Sequence, residues 1–243
     1  MSLKKIILMF TLIFLTILSG CSKNDESNPV APKTKEPAKL QLKEITVPTH
    51  LTQVQDQHAQ MVSSYIQMAN GLTNYAAFFT PPSGAKHLPK GYSTEDEWTW
   101  TEDNLTVTLV YNEGESNISW KVILTGLYEG FTATNWTFME AEQSKDGNSG
   151  HLTIYEPVTT TVAVDWEWNN NSNGNASFIF TDFESFMKMQ IDVNSDNSGM
   201  LQVFQSSDNQ FILQYKISWT ATGSGEWWEY DATGNITDHG TWT

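Results

Sequence analysis

The chain has 243 residues, 39% of them hydrophobic, with 28 acidic residues, 13 lysines, no arginine and a net charge of −15. A phosphate- or nucleic-acid-binding surface works through clustered cations and bidentate forks, and this composition supplies neither. The same charge is repelled by anionic lipid head groups, so any membrane attachment must come from apolar groups. With Cys21 the only cysteine, no internal disulfide can form.

The chain opens Met-Ser-Leu-Lys-Lys, followed by an apolar run from Ile6 to Leu18. A run of that length is too short to span a bilayer and reads as the core of a secretory leader, with Lys4 and Lys5 as its positive flank. Leu18-Ser19-Gly20-Cys21 resembles the lipobox of bacterial lipoprotein signal peptides. That resemblance implies a diacylglyceryl group on the Cys21 thiol, cleavage before Cys21, and acylation of the new amine. Ser22 in place of Asp implies, by similarity to enteric lipoproteins, transfer to the outer membrane. The expected location is therefore the cell envelope, lipid-anchored, on the outer rather than the inner membrane, facing either the periplasm or the surface.

Residues 21–48 carry four prolines after the cysteine and many charges, and read as a disordered tether. At polyproline extension such a tether reaches roughly 80 Å. The expected organisation is a leader over 1–20, lipidated Cys21 with its tether over 21–48, and a single domain over 49–243.

In that domain Leu51, Val54, His58, Met61, Tyr65, Met68 and Leu72 recur at spacings of three and four, which predicts one amphipathic helix. Thr52-x-x-Gln55 reads as its capping box and Asn70-Gly71 as its stop. His58 lies on the apolar face and is expected as a hydrogen-bonded core residue. Pro81 and Pro82 then break the chain, and residues 80–94 read as a loop.

From Glu97 onward the period changes to two. Leu105, Val107, Leu109 and Tyr111 alternate with polar residues, as do Ile118 to Leu124, Val162 to Trp168, and Phe211, Leu213, Tyr215, Ile217 and Trp219. Turn-forming clusters separate these runs, such as Lys145-Asp-Gly-Asn-Ser-Gly, Asn169 to Asn175, and Thr222-Gly-Ser-Gly. Clean alternation means one dry face and one wet face. The fold class expected is mainly β: one N-terminal helix, then an antiparallel meander of about eleven or twelve strands, curved into an open sheet or barrel with the helix on its concave face. In element order this is similar to the LolA/LolB-type lipoprotein-handling fold, although no residue motif carries that match.

A repeat of about fifty residues aligns Ser149-Gly-His-Leu-Thr-Ile-Tyr with Ser198-Gly-Met-Leu-Gln-Val-Phe, and Trp168 and Gly174 with Trp219 and Gly225. The C-terminal stretch from Gly225 to Trp242 resembles a single MORN-type hairpin repeat, which implies a β-hairpin.

No motif for nucleophilic, metal or cofactor chemistry is present. The five histidines stand in unrelated contexts, and Asp192 to Gly199 fails as a calcium loop, because its glycine falls late and Val203 stands where a bidentate glutamate is needed. It reads as a hairpin turn, and Glu95-Asp96-Glu97 with Glu102-Asp103 as a solvated loop. No cofactor, no metal and no enzyme activity are expected.

The ten tryptophans all follow residue 97. Trp98/Trp100 and Trp166/Trp168 are spaced to share a sheet face, whereas Trp227 and Trp228 must point to opposite faces. Trp98, Trp100, Trp166, Trp168, Trp219, Trp227 and Trp228 are the candidate ligand-binding aromatics. The expected function is non-enzymatic binding of an apolar ligand or lipid between helix and sheet. The alternative is a surface module that binds a glycan or protein through exposed tryptophans and acidic loops.

Overall fold

The computed structural model describes residues 36–41, 44–89, 95–208 and 210–243. The leader, Cys21 and the tether as far as residue 35 lie outside the described residues. Residues Pro37–Thr243 form one compact unit.

That unit is built on a single sheet of thirteen strands lying side by side in chain order. They are β1 (Lys86–Pro89), β2 (Glu95–Glu102), β3 (Leu105–Glu113), β4 (Asn117–Tyr128), β5 (Phe131–Ser144), β6 (Ser149–Tyr155) and β7 (Val162–Asn170). The sheet continues with β8 (Ala176–Asp182), β9 (Met187–Val193), β10 (Gly199–Ser207), β11 (Gln210–Trp219), β12 (Gly225–Tyr230) and β13 (Ile236–Trp242). Short turns leave consecutive strands no option but antiparallel pairing with the next, so the connection never crosses over. The sheet is open, with β1 and β13 as its edges.

Two segments expected as loop are strand. The Glu95–Glu102 acidic stretch forms β2, and Lys86–Pro89, inside the expected 80–94 loop, pairs with it. The His87 ring stacks on Trp98 at 4.7 Å and its Nε2 bonds Asp96 Oδ1 at 3.1 Å, contacts that no local pattern reveals.

The period-two residues form a buried face, with Leu109, Trp120, Val122, Leu152, Ile191, Leu201 and Ile217 each at most 1% exposed. The alternation breaks once in β11. Val203 pairs with Tyr215 but Phe204 pairs with Leu213, so Gln214 is an extra residue. Phe211 and Leu213 therefore turn to the open face, not to the buried face expected of them.

Hairpin turns alternate between two ends of the sheet, and the ends differ in chemistry. One end carries Asn171–Asn175, Asn194–Ser198 and Thr220–Ser224, closed by backbone bonds such as Asn194 N–H to Ser198 O (2.8 Å). The left-handed position in these turns holds Gly174, Asn197 or Gly223. This is the polar end. At the other end, Leu127 and Phe131 flank the β4–β5 turn, Val158 sits between β6 and β7, Phe183 and Phe186 close β8–β9, Phe211 follows the β10–β11 turn, and Ile236 follows the β12–β13 turn. All seven are exposed. This is the apolar end.

The expected single helix is two: α1 (Thr49–Gln53) and α2 (Gln57–Asn70), followed by a 3₁₀ segment over Gly71–Phe79. Asp56 caps α2, its Oδ1 accepting from His58 N–H at 2.8 Å and Ala59 N–H at 3.2 Å. The capping box does not form; Thr52 lies inside α1 and donates to Thr49 O. Gly71 does not stop the chain either, since its φ of −60° continues the helical turn. The break before α2 shifts the buried stripe to His58, Ala59, Val62, Ser63, Ile66 and Ala69, leaving Met61, Tyr65 and Met68 half-buried.

The helical segment lies on the buried face. His58 stacks on Trp227 at 3.9 Å, and Phe79 meets Trp120 at 6.0 Å. Residues 37–41 and 44–48, assigned to the tether by composition, also join the fold. Leu40 and Ile45 are buried, Ala38 O accepts from Trp120 Nε1 at 3.0 Å, and Gln41 N–H donates to Gln143 Oε1 at 2.8 Å. Gly147 and Gly223, both in polar-end turns, abut Gln41 and His50. The chain thus enters the domain at the polar end.

The repeat has a physical basis. Trp168, Trp219 and Trp242 each lie across a glycine on the neighbouring strand: Gly150, Gly199 and Gly225. A Cβ on any of these glycines would fall within 2.1–2.4 Å of the indole Cζ2. The expected match of Gly174 with Gly225 is therefore off by two positions. Gly174 and Gly223 are the equivalent turn residues, at φ +84° and +90°, and Gly225 is a strand residue beneath Trp242.

Candidate functional site

The seven candidate tryptophans do not gather in one place. Trp98, Trp166, Trp168 and Trp219 are buried in the core, at 3–4% exposure. Trp98 stacks on His87, Trp166 meets Phe180 edge-on at 5.1 Å, and Trp219 donates its N–H to Asn197 O at 2.8 Å. Trp100 is half-buried beside Val107 of β3. Trp227 and Trp228 face opposite ways, as adjacent strand residues must. Trp227 packs under His58, while Trp228 stands on the open face with His239 stacked at 5.4 Å and Lys216 Nζ 5.0 Å from its ring centre. His58 is a hydrogen-bonded core residue as expected, 6% exposed, with Nε2 3.2 Å from Glu229 Oε1.

Towards the apolar end the buried face loses its cover. Tyr65 of α2, Tyr75 of the 3₁₀ segment, Tyr128 of β4, Met187 of β9 and Tyr215 of β11 are half-buried there. The Tyr65 hydroxyl points at Met187 Sδ, 3.8 Å away. Tyr128 packs on Trp136 and Phe138, and Phe138 in turn meets Phe78. Burial pushes the Tyr75 phenol up to about 12 and that of Tyr128 higher still, with Glu129 and Tyr75 adding to the latter. Tyr65 is raised by burial and then by Tyr215. These phenols are neutral at any physiological pH. Tyr65, Met187 and Tyr215 form one half-buried cluster under α2, here called the mouth, and Tyr75 with Tyr128 forms a second beside Trp136 and Phe138; both present aromatic carbon and uncharged hydroxyls, and the first adds a thioether.

Deeper on the same face, the indole N–H groups of Trp136, Trp166 and Trp168 and the hydroxyl of Ser63 have no hydrogen-bond partner among the described residues. A buried donor without an acceptor costs about 1–3 kcal/mol, so each marks a place where an acceptor would be stabilised.

The open face carries two grooves, of about 880 Å³ and about 300 Å³, that share Glu142 and His151. The larger spans β4 to β9 and is lined by Glu142, His151, Asp165, Glu167, Asn175 and Asp192, with no lysine. Its carboxylates are oriented by neutral donors: Asn117 to Glu142 (2.7 Å), Thr153 to Asp165 (2.8 Å) and Gln190 to Asp192 (2.8 Å). In the smaller groove burial pushes the Glu140 carboxyl upward, but bonds from Lys121 (2.6 Å) and Tyr155 (2.8 Å) outweigh that and hold it below its usual range. Among the described residues no three His, Cys, Asp or Glu side chains converge as metal ligands, and no helix is long and apolar enough to cross a membrane.

Comparison with models of known protein families and with curated protein sequences finds no match. Three chemically distinct surfaces stand out: an apolar mouth under α2, an apolar rim at the same end of the sheet, and an acidic open-face groove. Sequence reasoning placed Tyr65 on the helix but missed Tyr75, Tyr128, Met187 and the rim. The missed signal lies in and beside the turns of one end: Val158, Phe183 and Phe186 stand in turns, where turn chemistry favours Asn, Asp and Gly, and Leu127, Phe131, Phe211 and Ile236 are strand residues next to turns.

Proposed function

We propose that this is a lipid-anchored cell-envelope protein whose domain binds an apolar, acyl-chain-like ligand at the mouth between α2 and the sheet, without catalysis. The observation that carries the reading is the change in cover along the buried face. Core tryptophans at the polar end give way to half-buried Tyr65, Tyr75, Tyr128, Met187 and Tyr215 at the apolar end. Ligand pockets combine such apolar linings with a few polar anchors. Here the polar anchors are the phenol hydroxyls of Tyr65 and Tyr215, suited to an ester or carboxylate oxygen. Anchoring rests on the lipobox resemblance at Cys21, and an acidic, arginine-free surface leaves attachment to the acyl chains.

The test is titration of residues 22–243 with a dansylated fatty acid. Saturable enhancement, lost on Tyr65→Asp or Met187→Asp but kept on Glu167→Gln, supports the reading; binding indifferent to the mouth substitutions sinks it. A Cys21→Ala chain is expected to leave the membrane fraction.

A second reading, recognition of a hydroxyl-rich glycan, draws support from the larger open-face groove, whose carboxylates and amides are the groups that bind sugar hydroxyls. It requires oligosaccharide binding that Glu167→Gln weakens and Tyr65→Asp leaves intact.

A further inference from the structure

The rim at the apolar end is a separate feature from the mouth under α2. Of the eight large apolar side chains exposed among the described residues, only Leu88 lies elsewhere. Scattered exposed hydrophobics are ordinary, but seven gathered at one end of a sheet, three in its turns and four on the strand residues beside them, are not. The backbone adds a second, independent observation. Val158 and Phe186 hold φ of +60° and +56°, in the left-handed region. A β-branched or aromatic residue is disfavoured there, and among the described residues the polar-end turns place only Gly147, Gly174, Asn197 and Gly223 in that region. The Asp182 carboxylate builds the β8–β9 turn by accepting from Glu184 and Ser185 N–H, both at 3.0 Å, and the turn then displays Phe186 at 59% exposure. Apolar display is maintained here against local backbone preference.

We propose that this rim docks on the surface of a lipid bilayer, its turn residues inserting among the head groups. The geometry favours a bilayer over a protein partner. Prongs on alternate turns recur at about 10 Å, twice the strand spacing, and so form a row of separate side chains where a protein interface needs one contiguous patch. Each prong can enter a fluid interface on its own. Charge defines the lipid class. The turns at this end carry Asp103, Glu129, Glu156, Glu184, Asp208 and Asp231 and no lysine, so attraction is apolar and head groups must be zwitterionic or neutral. The described chain enters the domain at the opposite end, where Ala38 and Gln41 are held by Trp120 and Gln143. Docking sets the mouth against acyl chains, but it does not require a ligand inside the domain.

Residues 22–243 contain the whole compact unit and no cysteine, which permits a site-specific probe. An environment-sensitive dye on the Phe186→Cys variant is expected to shift to the blue with phosphatidylcholine vesicles, while the same dye on Asn173→Cys at the polar end stays in water. Co-flotation with phosphatidylcholine is expected to fall about tenfold for Phe131→Ser and again for Phe186→Asn, and to weaken when phosphatidylglycerol is added. Asparagine tolerates the left-handed turn, so Phe186→Asn keeps the fold and a loss of binding is not a loss of structure. No flotation, a preference for anionic vesicles, equal shifts at both dye positions, or a dimer that Phe186→Asn dissociates would each overturn the proposal. Fatty-acid titration stays normal in Phe186→Asn if only docking fails, which separates this result from failure of the mouth.

Discussion

Replacing Gly199 by alanine tests the packing of tryptophan over glycine. The new Cβ would lie 2.4 Å from both Trp219 Cζ2 and Asp192 O. Ordinary carbon contacts lie near 3.5–4.0 Å, so the ring must move by about 1 Å. Such overpacking costs about 1–3 kcal/mol. Ring displacement also strains the 2.8 Å bond from Trp219 Nε1 to Asn197 O, and a buried donor so abandoned costs about 1–3 kcal/mol. Against this, alanine in a strand recovers about 0.5–1 kcal/mol of glycine's entropy. The net expectation is a loss of about 2–4 kcal/mol, lowering Tm by roughly 5–10 °C for a domain of this size. Gly71→Ala is the matched control: nothing lies within 4 Å of its Cβ, and its helical φ suits alanine, so it gains about 0.5–1 kcal/mol. Urea unfolding followed by tryptophan fluorescence measures both. A Gly199→Ala domain as stable as the parent would refute the reasoning.

Asp56→Ala removes the acceptor for two N–H groups at the start of α2 and is expected to cost about 1–2 kcal/mol by the same assay. His58→Ala removes the ring stacked on Trp227 and its bond to Glu229; it is expected to cost about 2–4 kcal/mol and to expose Trp227 to iodide quenching, and unchanged quenching would count against the stack. Tyr65, Tyr75 and Tyr128 all have raised folded-state values, so the folded chain retains protons that the unfolded chain releases above pH 10. Their stabilisation is complete below pH 10 and drains away as pH climbs towards 12, with about 2 kcal/mol from Tyr75 alone. Tyrosinate absorbance after a pH jump should rise in two phases, the slower tracking unfolding; a single fast phase would contradict this.

Period two and turn composition made the sheet legible in the sequence because both are local consequences of a strand with one dry face. The opposite directions of Trp227 and Trp228 and the core position of His58 followed from the same geometry. Long-range events were not legible. β1 exists because His87 finds Trp98 and Asp96, and Leu40 and Ile45 leave an apparently disordered tether because the domain offers them burial. The α1–α2 break came from Asp56 outcompeting the Thr52 box, a choice between two plausible caps. The bulge at Gln214 reversed Phe211 and Leu213, since one extra residue flips everything beyond it. Of the candidate site, the aromatic richness was visible, but not its division into filled core and half-covered mouth. That division depends on which phenols the helical segment reaches.

Strand order equal to chain order has an evolutionary corollary. Every strand pairs only with its sequence neighbours, so the sheet is a string of hairpins in which each Trp–Gly contact is settled between adjacent strands. Duplicating one hairpin leaves the remaining pairings intact and, because turns alternate between ends, adds exposed tips without reversing the polarity of the sheet. The roughly fifty-residue spacing between Gly150 in β6 and Gly199 in β10, four strands on, is the trace that duplicating two successive hairpins would leave, and the width of the sheet is a quantity that can drift by whole hairpins while the helical segment stays as it is.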